Sequence, residues 1–111
     1  MKLNIYHHKS VSGRDMIEEY INKLDQETQD VIYAFLIKFR DELKFRQDPH
    51  CKKITENVLE LRIIAKDHYR ILYAFIFQNN VILLHIFKKK TNKVSKKDLD
   101  LAIKRLKQYE S

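Results

Sequence analysis

The spacing of apolar residues changes once along the chain, near residue 58. Before that point apolar side chains recur every three or four positions, which is typical of helices with one buried face. The first stripe is Met16, Ile17, Tyr20, Ile21 and Leu24, and the second is Ile32, Phe35, Leu36, Phe39 and Leu43. The pattern predicts an αα-hairpin with a very short connection. Ser10 or Ser12 is the expected N-cap of the first helix and Asp25 that of the second.

After residue 58 the apolar period becomes two, which is typical of strands. Residues 59–64 and 69–77 alternate, and residues 81–87 are almost wholly apolar, so the pattern predicts a three-stranded meander whose last strand is central in the sheet and buried on both faces. Asn79-Asn80 suits the hairpin turn. A short strand over residues 3–7 precedes the helices, and residues 45–53, with Asp48-Pro49, are expected to form a loop. Ser95 is the expected cap of a last helix, whose packing stripe is Leu99, Ala102, Ile103, Leu106 and Tyr109.

Length and composition predict one domain over residues 1–111. Cys51 is the single cysteine, which fits a reducing compartment. The longest apolar runs, residues 71–77 and 81–87, are too short to cross a bilayer. From these features we expect a soluble, cytoplasmic protein with no membrane partner.

Positive charge is concentrated at the C-terminal end of the chain. The formal charge is +7, and residues 88–111 contribute nine Lys or Arg against three Asp or Glu, a net +6. Such a local patch favours phosphate backbones or an acidic protein partner. Its lysines leave the end of an apolar strand: Lys88, Lys89, Lys90, Lys93, Lys96 and Lys97. A solvated loop is the alternative. A lysine crowded by like charges also has a lowered pKa, which suits proton transfer.

Two arginines interrupt the predicted strands. Arg70 shares a strand face with Leu72 and Ala74, and Arg62 shares one with Glu60. Two interpretations are open. The arginines form a structural ion pair with Glu60, or they project together and hold a phosphate with their forked donors. On the second interpretation, Arg70→Ala is expected to abolish activity while the protein stays folded.

The remaining candidate groups point away from metal and cofactor chemistry. By alternation, His85 lies on one face with Val81, Leu83 and Phe87, where a core histidine is commoner than a catalytic one. The other histidines lack metal-ligand spacing, and a single glycine excludes phosphate-cradling glycine loops. No metal and no cofactor are therefore expected. The strand aromatics Tyr69, Tyr73, Phe75 and Phe77 are expected to pack in the core against the helices.

Four segments of the pattern are more specific than composition. They are LELRI at residues 59–63, YRILY at 69–73, LLHIFKKKTNK at 83–93 and LAIKRL at 101–106. Together they resemble the HigB-like, phage-associated branch of the RelE/ParE toxin superfamily. The resemblance implies an α+β, RelE/ParE-like fold, in which an N-terminal strand and αα-hairpin pack on a twisted, mainly antiparallel sheet with a C-terminal helix.

The resemblance also implies a function, the toxin of a type II toxin–antitoxin system. Its relatives are metal-free endoribonucleases that cut mRNA on the ribosome, inhibit translation and are held inactive by a helix-turn-helix (HigA-like) antitoxin. Arg62 and Arg70 match the strand arginines of the family pattern, and Lys89, Lys90 and Thr91 match its lysine-rich segment. A ParE-type toxin that poisons DNA gyrase, or a non-catalytic basic phage protein that binds nucleic acid or a partner, are the alternatives.

The expected mechanism is attack of a 2′-hydroxyl on the adjacent phosphate. His85 or a lysine would move protons, and the arginines would stabilise the charge that develops. The predicted catalytic set is Arg62, Arg70, His85 and Lys90. The predicted set for binding RNA or the ribosome is Lys66, Lys88, Lys89, Thr91, Lys93, Lys96 and Lys97.

Overall fold

The computed structural model describes residues 2–110 and has the predicted α+β architecture. Its strands are β1 (Asn4–His7), β2 (Cys51–Lys53), β3 (Leu59–Ile64), β4 (His68–Phe77) and β5 (Asn80–Lys88). Its helices are α1 (Met16–Asn22), α2 (Gln26–Asp41) and α3 (Lys96–Leu106), with 3₁₀ turns at Leu43–Arg46 and Lys107–Tyr109. The predicted fold class, an αα-hairpin and a C-terminal helix on a mixed sheet, is confirmed.

The five strands form one sheet in the order β1-β5-β4-β3-β2. β1 runs parallel to β5, and every other neighbouring pair is antiparallel. The meander β3-β4-β5 and the interior position of β5 were both predicted. The loop expected over residues 45–53 is wrong in part, because Cys51–Lys53 pairs with β3 as an edge strand. Three residues, two of them lysines, are too few to show an alternating pattern.

Helices cover both faces of the sheet and enclose two apolar cores. The αα-hairpin packs on one face, where Ile17, Ile21, Ile32 and Phe39 are fully buried. α3 packs on the other face, through the fully buried Ala102 and the largely buried Leu106, against buried residues of β4 and β5, namely Leu72, Ala74, Ile82 and Leu84. Burying each large aliphatic side chain contributes about 1.5–3 kcal/mol. α3 is thus held firmly against the sheet.

The caps of α1 and α3 determine where two site elements begin. Asp15, and neither Ser10 nor Ser12, caps α1, since its carboxylate accepts hydrogen bonds from the amides of Ile17 and Glu18. The predicted serine caps are wrong because residues 10–14 close a turn before the helix begins. Asp25 occupies the expected position before α2, but its carboxylate binds Lys66 at 2.8 Å. Ser95 caps α3, as predicted.

A β-bulge in β5 changes the face on which His85 lies. Leu72 of β4 pairs with His85, and the next residue, Tyr73, pairs with Leu83, so Leu84 is the extra residue. His85 therefore joins Phe87 on the α3 face, while Val81 and Leu83 stay on the hairpin face. The prediction that His85 shares a face with Val81 and Leu83 is wrong, because simple alternation does not reveal a bulge.

The strand aromatics divide into two pairs. Tyr69 and Tyr73 are buried as predicted, whereas Phe75 is 45% and Phe77 66% exposed. The prediction that Phe75 and Phe77 pack in the core is wrong. β3 pairs with β4 only as far as Tyr73, so the end of the β4–β5 hairpin extends beyond its neighbouring strand. Within residues 2–110, no helix has the length and apolar character needed to cross a membrane.

Candidate nucleic-acid interface

The C-terminal half of β5 forms the floor of a cleft. β1 ends at His7, opposite Leu83, whereas β5 continues to Lys88. Side chains from α1, β5 and α3 surround the uncovered end of the strand. They enclose a space of about 480 Å³, which we call the lysine cleft. Its lining residues are Tyr20, Phe87, Lys88, Lys90, Thr91, Lys93, Ser95, Lys97 and Asp98.

The lysine cleft is strongly cationic. Lys88 forms an ion pair with Asp67 at 3.0 Å. Among residues 2–110, no carboxylate lies within 4.0 Å of the ammonium groups of Lys90, Lys93 or Lys97. Exposed ammonium groups without a local counter-ion retain their full charge for a ligand. The cleft is therefore suited to binding phosphate.

The other predicted binding lysines lie outside this cleft. Lys89 lines a neighbouring hollow of about 260 Å³, which Lys90 separates from the lysine cleft by lining both, and the Lys89 amide donates to the carbonyl of His68. Lys96 is exposed in the first turn of α3. Lys66 forms ion pairs with Asp25 and Glu27 at the start of α2. The structure brings together Lys88, Lys90, Thr91, Lys93 and Lys97 of the predicted binding and catalytic sets, and their roles stay predictions.

Two aromatic side chains line the lysine cleft between its cations. Phe87 comes from β5 and Tyr20 from α1. Burial raises the pKa of Tyr20, so its hydroxyl stays protonated at neutral pH. Aromatic rings beside a cationic groove are a common platform on which bases of single-stranded nucleic acid stack. Sequence reasoning assigned Tyr20 to the packing stripe of α1, because helical spacing does not distinguish a packing ring from one that also lines a cleft.

His85 and Asp98 form a hydrogen-bonded pair at the edge of the cleft. His85 Nε2 lies 2.7 Å from Asp98 Oδ1, and the ring of His85 stacks on Phe87 with centroids 5.3 Å apart. Ser95 Oγ donates to Asp98 Oδ2 at 2.7 Å and accepts from the Asp98 amide. The cap of α3 thus fixes Asp98, and Asp98 fixes the imidazole. The Ser-x-x-Asp spacing of Ser95 and Asp98, which is typical of a capping box, is the sequence signal that could have predicted the position of Asp98.

The environment of this pair favours a neutral imidazole and an ionised carboxylate. Burial lowers the pKa of His85, and its hydrogen bond to Asp98 offsets that effect only in part. Burial alone would raise the pKa of Asp98, but hydrogen bonds from Ser95 and His85 hold it below its usual value. When Nε2 carries the proton donated to Asp98, Nδ1 keeps a free lone pair. His85 is thereby able to accept a proton near neutral pH.

The two predicted catalytic arginines are bound to Glu60, and we call these three residues the Glu60 cluster. Arg62 Nε lies 3.0 Å from one carboxylate oxygen of Glu60, and Arg70 Nε lies 3.6 Å from the other. The exposed fraction of the side chain is 32% for Arg62, 8% for Arg70 and 6% for Glu60. The geometry favours the structural ion pair, and the catalytic role of both arginines stays a prediction.

The Glu60 cluster lies behind the lysine cleft on the same face of the sheet. Arg70 pairs across the strands with both Arg62 and Phe87. Burial lowers the pKa of Arg70, while Glu60 raises it, so the guanidinium depends on this carboxylate for compensation. On the sequence alone, Arg70→Ala is expected to leave the fold intact. In the structure we expect this substitution to destabilise the fold, because it removes a buried, paired side chain from the core.

Within residues 2–110, no three His, Cys, Asp or Glu side chains lie close enough together to hold a metal ion.

A family model described as phage-derived protein Gp49-like (DUF891) matches residues 19–107. The matched span is well over half of the chain and contains Tyr20, the Glu60 cluster, His85 and Asp98. No curated protein is similar enough to this chain to count as a match.

Proposed function

We propose that this chain, which belongs to the Gp49-like family of phage-derived proteins, is a HigB-like toxin that cuts messenger RNA. The family is of RelE/HigB-like toxin type and is associated with toxin–antitoxin systems. What the family leaves open is the chemistry of this member. We take that chemistry from the lysine cleft and the His85–Asp98 pair.

The observation that carries the proposal is the position of a histidine, held by its hydrogen bond to Asp98, beside unpaired cations. Lys90, Lys93 and Lys97 have no ion-pair partner among the described residues, and the His85–Asp98 pair lies at the same cleft. Cations hold the phosphate and neutralise charge that develops on it, and an oriented imidazole removes a proton. These are the requirements for cleaving RNA through its own 2′-hydroxyl.

In the proposed reaction the 2′-oxygen attacks the adjacent phosphorus while Nδ1 of His85 takes the hydroxyl proton. The phosphorus–5′-oxygen bond breaks, a 2′,3′-cyclic phosphate forms, and the leaving 5′-oxygen receives a proton from Lys90. Asp98 acts through His85 as a positioning residue, since it holds the imidazole and favours its protonated state. The proposed cleavage needs no metal and no cofactor.

The proposed partners are those of a ribosome-dependent toxin. The ribosome would present the mRNA, and the basic segment formed by residues 88–111 would contact ribosomal or messenger phosphates. A cognate helix-turn-helix, HigA-like antitoxin would inhibit the toxin, and an acidic segment of it would fit the cationic cleft. The site of action would then be the cytoplasm.

A cell-free translation reaction tests this function. We expect the purified protein to inhibit translation and to produce new 5′ ends within the mRNA, mapped by primer extension. His85→Ala should remove the cuts, and Lys52→Ala should not, because Lys52 lies on the far edge strand β2. Intact mRNA together with gyrase-dependent DNA breaks would show a ParE-type toxin instead. Intact mRNA and no DNA breaks would indicate a non-catalytic binding protein.

A further inference from the structure

A second, smaller cleft continues from the lysine cleft on the other side of His85. It has a volume of about 220 Å³ and contains His85 and Tyr20 together with Arg14, Glu19, Lys23 and Arg105. We call it the Arg105 cleft. Tyr20 lines both clefts, and His85 in the smaller one is bound to Asp98 in the larger one. The two clefts therefore meet at the His85–Asp98 pair.

The Arg105 cleft has more positive than negative charge. Arg14 binds Glu19 with two donors, Nε at 2.8 Å and Nη2 at 2.5 Å, so these two charges largely compensate each other. Arg105 donates from Nη1 to the carbonyl of Leu84 at 2.8 Å. Within the described part of the chain, no carboxylate lies within 4.0 Å of the charged groups of Arg105 or Lys23. Two cations are thus left for a ligand.

Of these two cations, Arg105 gives the stronger indication of a bound anion, because its side chain is half-buried. A guanidinium withdrawn from water normally has an anion beside it, because the loss of hydration is costly. Burial lowers the pKa of Arg105, and Tyr109 offsets this effect only in part. The planar group still has N–H donors besides the one bound to Leu84, and their fork matches the oxygens of a phosphate. The chemistry of Arg105 therefore favours a bound anion.

The size of the cleft selects among anions. Sites for drug-sized ligands usually have volumes of about 300–1,000 Å³. The lysine cleft lies within this range and is large enough for a base with its sugar, whereas the Arg105 cleft lies below it. A single phosphate group is an anion that fits the smaller space.

We propose that the Arg105 cleft binds a phosphate of single-stranded RNA adjacent to the nucleotide held in the lysine cleft, so that the strand crosses the His85–Asp98 pair. This inference rests on the proposed function and adds α1 and the last turn of α3 to the RNA-binding surface. Lys23 and Arg105 would be the phosphate ligands. The phosphodiester to be cut would then be held from both sides, over Nδ1 of His85.

A bound phosphate would also act on His85. Burial lowers the pKa of His85, and the positive charge of Arg105 lowers it further. An anion in the Arg105 cleft would offset that charge and raise the pKa of the imidazole towards its ordinary value. His85 would become a stronger base when RNA is bound, which favours proton removal at the time it is needed.

The test is an NMR titration of the full chain with 2′-O-methyl-triuridylate, a trinucleotide that lacks the attacking hydroxyl. We expect saturable shifts at the Arg105 Nε–H and at residues of the lysine cleft, with an upward shift of the His85 pKa. Lys23→Ala should weaken binding about five- to tenfold at 50 mM salt, because each neutralised phosphate contributes about 0.7 to the log–log salt slope. Arg105→Gln should weaken it at least as much.

Matched variants separate the possible outcomes. Lys52→Ala removes the same charge on the far edge strand and should leave the affinity unchanged. Lys23 is exposed on the surface, so its substitution keeps the test valid if Arg105→Gln does not fold. Shifts confined to the lysine cleft, with no effect of Lys23→Ala, would overturn this inference and leave the proposed function standing. The absence of saturable shifts in both clefts would overturn this inference together with RNA binding by this surface.

Discussion

Two groups of cations lie close together on one side of the sheet, and their surroundings differ sharply. In the Glu60 cluster two arginines share one carboxylate, and Arg70 and Glu60 are less than 10% exposed. In the lysine cleft, Lys90, Lys93 and Lys97 are exposed and have no ion-pair partner within residues 2–110. Phe87 touches both regions, since it pairs with Arg70 across the strands and lines the cleft.

The difference shows what a buried cation requires. A charge within an apolar strand loses hydration, and a neighbouring anion has to compensate for that loss. Arg70 therefore needs Glu60, and little of its charge is left for a ligand. Lysines beyond the end of the strand keep their hydration and need no such partner, so their charge is available to phosphate. We infer that the strand arginines stabilise the fold and that the cations after the strand bind the substrate.

The largest expected effect is a loss of stability when the Glu60 carboxylate is removed from the Glu60 cluster. Glu60→Gln keeps the shape of the side chain but leaves Arg70 buried beside Arg62 with no carboxylate. Removing one partner of a buried ion pair typically costs about 3–5 kcal/mol. We expect a loss of about 3 kcal/mol in the free energy of unfolding, measured by urea denaturation. An unchanged free energy would mean that the cluster is not structural.

A double variant separates the loss of the pair from the loss of one partner. Glu60→Leu with Arg70→Met replaces two buried charges by apolar side chains of similar size. Such replacements are often neutral or stabilising, so the double variant should be more stable than Glu60→Gln. Arg62 remains, but it is about one third exposed and tolerates the loss of its partner better.

The second expected effect is catalytic and lies at the edge of the lysine cleft. His85→Ala should lower the rate of mRNA cleavage by about 10²-fold or more, which is the usual range for loss of a general base. The substitution should leave RNA binding nearly unchanged, because the lysines remain. Asp98→Asn should lower the rate less and shift the pH profile, as expected of a positioning residue. Equal rates for wild type and His85→Ala would exclude His85 as the base.

The third expected effect concerns binding strength and its dependence on salt. Lys90→Ala and Lys93→Ala should each reduce the log–log salt slope for single-stranded RNA by about 0.7. Lys66→Ala should have little effect, because Lys66 is bound to Asp25 and Glu27 away from the cleft. A fluorescence anisotropy titration at several salt concentrations measures these slopes. A larger change for Lys66→Ala than for Lys93→Ala would place the RNA elsewhere.

The smallest expected effect is on the pH dependence of stability. Burial lowers the pKa values of His8 and His85 below the ordinary value of 6.5. Below pH 6.5 the unfolded chain therefore binds more protons than the folded chain, and stability decreases as the pH falls. The carboxyl group of Asp98, whose pKa is lowered, acts only at more acidic pH. Urea denaturation at pH 7.5 and 5.5 should show the loss, and His85→Ala should reduce it.

The outline of the fold could be predicted because local periodicity determines it. The αα-hairpin, the meander and the cap of α3 each leave a direct pattern in the sequence. β2 and the exposed end of the β4–β5 hairpin could not be predicted, since they depend on which strands lie beside them. The bulge at Leu84 was also hidden, and it is the reason why His85 faces α3 rather than the αα-hairpin.

The candidate site could be predicted only in part, because several of its residues come together only through the packing of neighbouring elements. Adjacent lysines predicted the cationic segment directly. Tyr20 lies on α1, far from Lys90 in sequence, while Asp98 and Arg105 lie on α3, and only the packing of both helices around β5 brings these side chains to the clefts. Sequence alone also left the partner of Arg70 undecided. The register that aligns Glu60, Arg62 and Arg70 across two strands supplies the answer.

The central claim is that the cations after the last strand bind and cut RNA while the strand arginines hold the fold. The most direct test compares mRNA cleavage rates of two folded variants, Glu60→Leu/Arg70→Met and Lys90→Ala/Lys93→Ala, in a cell-free translation reaction. We predict that the first keeps a rate close to that of the wild type and that the second loses at least about tenfold. A loss of about 10²-fold or more in the first variant, the usual cost of removing a charge-stabilising donor, with little change in the second would contradict this account.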